Sequence, residues 1–454
     1  MEPAQREERA GPREGAVLVG RTREVTDVSY RAFLASQPAP RVHWAAPDGL
    51  EIVGSGSAVT VTAHGPDRFD SLREAASTVF TDVDRTGPPE TRPRLLGGLA
   101  FNEHHESEPP WEDFPAAAFT LPQTQLTTAG DTTWLTVRAY GEDVTADQVE
   151  QRLDAAAESL STLPMMRPSG GPPGVVETRT TPSKAEWTEQ VERAIDRIEA
   201  GNLRKVVLAT ALEVDLAGEL DVPDALERLR RTYPNCYRFL VQPGTEAAFF
   251  GPPPERLVKL TGQRVETEAL AGSVPRGETP EEDADLAASM LDSEKLQHEQ
   301  RLVVDAIMDQ LSPLGDVQEG EQGVRKLTNI QHLQTPITAT LSADEHVLSL
   351  VEALHPTPAV GGLPPDKAWQ VIRETETFDR GWYAGPIGWF DADGDGEFAV
   401  GIRSSVAGGE TATLFAGCGI VADSDPDEEW EEVQPKYRPI LDELTSDDAA
   451  TDGR

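Results

Sequence analysis

Cysteine is scarce: the 454 residues include only Cys236 and Cys418. Two thiols supply no disulfide framework, and the chain suits a reducing compartment. Lysine is scarce as well. It fills seven of the 40 basic positions, against 79 Asp and Glu. The formal charge of −39 is spread along the chain, so no dedicated acidic interaction tail is expected. A field of this sign repels nucleic acid and anionic membranes, and neither is an expected partner. The same balance is what solubility in concentrated salt requires, because hydrated carboxylates resist salting-out while counter-ions screen their repulsion. Long apolar runs are missing too: no stretch approaches the roughly eighteen residues of a membrane-spanning helix, and the first eight residues are charged and polar. These absences lead to the expectation of a soluble, cytoplasmic protein of a halophilic cell.

What is present can build a large core. Hydrophobic residues make up 38% of the chain, and helix and strand patterns run through its whole length. A single large unit with an N-terminal extension is expected in place of several domains. Residues 1–20 and 446–454 are polar and read as disordered ends. Between 21 and 165, strand-like runs such as 50–53 and 133–137 alternate with Gly and Pro breaks, and this stretch reads as an N-terminal α/β part of the same unit. Residues 166–182, containing Ser-Gly-Gly-Pro-Pro-Gly, read as a linker, and 183–445 as the catalytic region. No internal repeat is visible.

Local signals are clearest after the linker. Ser183 and Glu186 form a capping box ahead of the apolar stripe Trp187, Val191, Ile195 and Ile198, which stops at Gly201. An alternating strand follows from Lys205, placing this lysine at a helix-to-strand corner. One long helix is expected from about 282 to 311, with Glu299 inside the stripe formed by Leu296, Val303, Ile307 and Leu311. Burying a carboxylate there is costly unless it is paired or metal-bound. An ion pair with an arginine or a boundary position explains it equally well. Gly388 to Phe390, Glu397 to Arg403 and Thr413 to Ala416 read as an antiparallel meander. Asp391 to Gly396 resembles the start of a calcium loop, but Ile402 stands where the closing Glu would be, so it reads as a hairpin turn. Gly54-Ser-Gly-Ser lacks the Lys and the helix of a phosphate loop.

Near the C-terminus, a strand ending in Gly417 and Gly419 leads into a helix rich in carboxylates, among them Glu428, Glu429, Glu431 and Glu432. Glycines let backbone N–H groups approach an anion, and helix carboxylates supply the hard oxygens that suit Mg²⁺. Together with Lys205-Val-Val-Leu-Ala, Pro254-Glu255, Ala269-Leu-Ala-Gly-Ser273 and His355-Pro-Thr-Pro-Ala-Val-Gly-Gly362, this junction resembles the chorismate-utilising enzymes. That family includes isochorismate synthase, salicylate synthase, anthranilate synthase component I and aminodeoxychorismate synthase. The resemblance spans about 183 to 445.

The resemblance implies an α+β fold of large, mostly antiparallel sheets packed as an open β-sandwich flanked by helices. It implies chorismate as substrate and Mg²⁺ as cofactor, with Glu299 and Glu432 as metal ligands and Glu429 as a possible outer partner. Lys205 becomes the general base and Glu255 the general acid; taken alone, they read as a strand-edge lysine and a loop carboxylate. Gly272, Ser273, Tyr383, Arg403, Gly417, Gly419 and Lys436 match positions that hold substrate carboxylates, and His332 matches a residue lining the pocket. Ala359 matches the isochorismate synthases, whereas salicylate and aminating members typically carry Thr there. The implied activity is isochorismate synthase, an isomerase adding water at C2 and losing the C4 hydroxyl, serving menaquinone biosynthesis. The alternatives are a salicylate synthase, an anthranilate or aminodeoxychorismate synthase component I, and a non-catalytic chorismate-binding paralogue. Two departures stand out. Cys418 sits where the family's turn has Ala, and Pro435 and Pro439 are expected to kink the last helix and alter the aim of Glu432 and Lys436.

Overall fold

The structure, a computed structural model, describes residues 11–47, 49–164, 170–328 and 330–446. Its centre is the strand Lys205–Leu216, here the lysine strand, buried on both faces along its first two thirds. One edge pairs antiparallel with Thr411–Ile420, the glycine strand. The other pairs with Val175–Thr181 and, at Lys205 and Val206, with the short Gly362–Leu363.

Strand pairing runs without a break through the described chain, and the sheet branches at Ala117–Ala129. One wing passes through Glu51–Ala63, Arg41–Ala45, Arg238–Gln242, Ala248–Gly251 and Ser405–Gly408 to the glycine strand. The other passes through Arg94–Leu99, Pro386–Asp391, Gly396–Val400, Arg256–Thr261 and Arg264–Pro275 to Ile330–Leu341. These pairs are antiparallel; Val17–Val25 pairs in parallel with Val83–Arg85. Trp111, Phe114, Phe249 and Trp382 meet edge-on in the core, Trp111 and Phe249 at 5.1 Å. Such contacts between rings add to the area they bury. The architecture is the α+β, largely antiparallel one expected, with ten α-helices among the described residues.

Several local expectations need correction. Residues 17–20 lie in Val17–Val25 with Leu18 fully buried, so order begins before residue 21. Residues 1–10 and 447–454 lie outside the described residues, as do 165–169 of the linker region. The linker's second half is the strand Val175–Thr181, bonded to the lysine strand. The N-terminal third supplies central strands to both wings. The long helix expected from 282 to 311 is two helices, Pro280–Asp292 and Glu294–Leu311, divided at Ser293. There the backbone is extended, and the serine hydroxyl accepts from the N–H of Leu296, capping the second helix. The meander is also divided: Pro386–Asp391 and Gly396–Val400 form one hairpin, turning at 391–396, while Ser405–Gly408 and the glycine strand form another. Arg403 lies between these hairpins, outside any strand.

Among the described large hydrophobic side chains, only Val176 and Leu291 are exposed. The surface is left to charge, with 79 acidic groups against 40 basic. Melting the protein from molar KCl down to about 0.1 M lengthens the Debye screening distance from about 3 Å to about 10 Å. The Tm should fall clearly over that range, because unscreened carboxylates repel one another in the compact state. A Tm independent of salt would contradict adaptation to high salt.

Candidate active site

The lysine strand and the glycine strand, with the turn at Glu255, the strands carrying Gly272 and His332, the helices carrying Glu299 and Glu432, and the loops at 359–360, 380–384 and 402–403, line a cavity of about 370 Å³. All thirteen residues singled out in the sequence line it: Lys205, Glu255, Gly272, Ser273, Glu299, His332, Ala359, Tyr383, Arg403, Gly417, Gly419, Glu432 and Lys436. Lys205 reaches it from the corner where the lysine strand begins and is 6% exposed. Its side chain passes directly over Gly419: a Cβ there would lie 2.5 Å from Lys205 Cε. Any side chain at 419 would push the ammonium away. Gly417 leaves similar room, since its Cβ would sit 2.7 Å from the carbonyl oxygen of Leu208.

Glu255 enters from the turn between Ala248–Gly251 and Arg256–Thr261. Burial, reinforced by the Glu268 charge, raises its carboxyl to about 8, while Arg325 and Lys205 pull the other way. It therefore carries a proton at neutral pH. The strand Arg264–Pro275 slips register at Gly272, whose φ of +64° opens a bulge facing the cavity. His332 Nδ1 stands 2.9 Å from the carbonyl oxygen of Gly272, which can only accept, so that nitrogen carries the proton. Burial and the nearby Arg403 charge push this imidazole down to about 3, and it stays neutral.

Arg403 has φ +55°, an uncommon conformation for a side-chain-bearing residue. Burial lowers its pKa. Among the described residues, no carboxylate lies within ion-pair distance of its guanidinium. A half-buried guanidinium facing a cavity in this state is a ready partner for an anionic ligand. Tyr383 stacks on Phe415 at 5.3 Å, and burial raises its hydroxyl's pKa, keeping it a hydrogen-bond donor. Lys436 donates to Glu432 Oε1 at 2.7 Å and to the Gly417 carbonyl at 2.8 Å. One N–H remains free for a ligand.

The C-terminal helix Pro426–Leu444 runs unbroken through Pro435 and Pro439, and it keeps Glu429, Glu432 and Lys436 on the cavity side. Burial pushes the Glu432 carboxyl up, but Lys436, Lys205 and Arg403 outweigh it and the net shift is downward. Glu429 is raised by burial and accepts from the Ser424 hydroxyl at 2.7 Å. Cys418 fits beneath, its thiol donating to the Glu429 carbonyl oxygen at 3.7 Å. Glu299 faces the cavity from Glu294–Leu311, with no cationic partner among the described residues. The described residues contain no cluster of three or more Asp, Glu, His or Cys able to grip a metal alone. Mg²⁺ keeps several waters and takes one or two carboxylates plus substrate oxygens. Glu299 and Glu432, which line the same cavity, fit that requirement.

The sequence reading missed Arg380 and Glu376. Arg380 lines the cavity, pairs with Glu376, and donates to the carbonyls of Val207 at 2.7 Å and Val360 at 2.9 Å. Glu376 in turn accepts from the N–H of Ala209 at 2.8 Å. The pair thereby ties the loop carrying Ala359 to the lysine strand. In sequence, an acid and a base four positions apart beyond a helix end look like a surface pair.

Comparison with known proteins agrees with this geometry. The chorismate binding enzyme family matches residues 5–445, so the likeness read from motifs after 183 extends through the N-terminal third. A salicylate biosynthesis isochorismate synthase of Pseudomonas aeruginosa is 35% identical over 415 residues, covering 90% of this chain and 85% of that one. Isochorismate synthase MenF of Bacillus subtilis is 33% identical over 448 residues, 94% of each chain. The solved structure of MenF, the menaquinone-specific isochorismate synthase from Escherichia coli, superposes with a TM-score of 0.80 at 28% identity, covering 97% of both chains. Anthranilate synthase component I from Streptococcus pneumoniae shares the fold, at a TM-score of 0.71 and 21% identity over 87% of this chain and 92% of that one. By sequence and by structure, this chain belongs to the chorismate binding enzyme family.

Proposed function

We propose that the cavity converts chorismate to isochorismate, with Mg²⁺ as cofactor and menaquinone biosynthesis as the destination. The observation that carries this reading is a buried, protonated carboxyl, Glu255, lining the same cavity as the buried amine of Lys205. Chorismate loses its C4 hydroxyl only if that oxygen is protonated as it departs, and gains one at C2 only if water is deprotonated as it attacks. Glu255 supplies the first proton. Lys205, lining the same cavity, is placed to take the second. The double bonds shift between the two carbons, one water enters and one leaves, and the net change is an isomerisation.

The remaining residues orient the dianion. Arg403 and Tyr383 present a guanidinium and a hydroxyl to one carboxylate. Lys436 and the N–H groups around Gly417 and Gly419 are placed for the other. Glu299 and Glu432 would hold Mg²⁺, which would neutralise ring carboxylate charge. The near full-length likeness to proteins named MenF supports the menaquinone destination.

Ala359 decides the nucleophile. Its methyl faces the cavity, and a Thr there would crowd and repolarise the space that water needs. Ala359→Thr should lower isochorismate formation at least about tenfold, roughly 1.4 kcal/mol of barrier, with Mg²⁺ dependence intact. Undiminished product from this variant would show that position 359 does not face the reacting centre. The function itself is tested by incubating the protein with chorismate and Mg²⁺ in high salt, with and without ammonium. Isochorismate is expected in both; anthranilate with ammonium, or salicylate, would replace this reading with the corresponding family alternative.

A further inference from the structure

Behind the cavity wall lies a pair of charges that the proposed chemistry does not use directly. Glu268, on the strand Arg264–Pro275, is 9% exposed in its side chain. One carboxylate oxygen accepts from the backbone N–H of Arg256 at 3.1 Å, the residue immediately after Glu255. The same oxygen accepts from Arg325 Nη1 at 2.7 Å, and the other accepts from the side-chain amide of Gln334. Arg325 also donates to the carbonyl of Asn235 at 3.1 Å, which fixes it from a second side. These contacts fix the carboxylate in place on three sides.

We propose that Glu268 and Arg325 are positioning residues for the general acid: Glu268 clamps the turn that carries Glu255, and the two opposed charges set the pH at which Glu255 yields its proton. This rests on the role proposed above for Glu255. The charged and polar groups acting on that carboxyl are Glu268, Arg325, Lys205 and the Thr357 hydroxyl. Glu268 is the one that raises its pKa, second only to burial, while Arg325 and Lys205 lower it. An anion close behind a buried carboxyl makes ionisation there costly, and a paired cation limits the penalty. The arrangement keeps the acid protonated at neutral pH and still able to release its proton.

The sign follows directly. An acid works only while protonated, so kcat/KM should fall as pH rises through about 8. Glu268→Gln removes the raising charge and leaves Arg325 unopposed, so the alkaline limb should move down by on the order of one to three pH units. Arg325→Gln removes the lowering charge, and the same limb should move up. Loss of packing alone would reduce activity in both variants without moving the limb in opposite directions.

The experiment is the pH profile of kcat/KM with chorismate for wild type, Glu268→Gln, Arg325→Gln and Glu255→Gln, with thermal melts confirming folding. Opposite displacements in the two charge variants support the inference. An unmoved limb in either folded variant, with Glu255→Gln abolishing it, overturns the inference and leaves the role of Glu255 standing. Persistence of the limb in Glu255→Gln would overturn both. Should Glu268→Gln fail to fold, Arg325→Gln decides alone: an upward shift supports the inference, and a fixed limb overturns it.

Discussion

Lys205→Ala and Glu255→Gln should each cost roughly 10²–10⁴ in kcat while the protein stays folded, the range expected for a positioned proton-transfer group. Gln keeps the shape of Glu255 and some hydrogen bonding but cannot deliver an acidic proton, so the loss should appear in the chemical step with binding largely retained. Removing Lys205 deletes the amine laid over Gly419 without touching the backbone pairing of either strand. Both residues are buried, so solvent is poorly placed to replace them. Chorismate turnover by each purified variant, beside its melting curve, checks the claim; wild-type kcat in both would end the acid and base assignments.

Glu299→Ala and Glu432→Ala should abolish turnover with the fold intact. Neither side chain anchors the core: Glu299 sits half-exposed at the cavity wall, and Glu432 contacts Lys436 on the open side. Each removes one of the two cavity-lining carboxylates that would hold Mg²⁺. The loss should be accompanied by weaker Mg²⁺ binding in calorimetry. Near-normal activity at limiting Mg²⁺ in either variant would show that the metal ligands lie elsewhere.

The elements around the site were legible because their signals are local, while the roles of its residues came from the resemblance of their motifs. The capping box at Ser183 and Glu186 is present with both hydrogen bonds, and the lysine strand starts at the residue where alternation begins. Glu299 was visible as a carboxylate within an apolar stripe. The break at Ser293 was hidden because serine is tolerated within helices as well as at caps, and the apolar stripe continues past it. Arg403 read as strand because nothing in Gly401-Ile-Arg encodes a positive φ; the two hairpins on either side impose it. Arg380, Glu376 and Glu268 went unnoticed for a shared reason. A charged residue in a strand or beyond a helix reads as solvent-facing, and only the folded sheet shows each one buried against an opposite charge or a backbone amide.

The most direct measurement is the fate of oxygen when chorismate is converted in water enriched in ¹⁸O. If Lys205 activates water for attack at C2 while Glu255 expels the C4 hydroxyl, the isochorismate formed should carry the label at its 2-hydroxyl. Unlabelled isochorismate, or intact chorismate after prolonged incubation with Mg²⁺ in high salt, would contradict the account.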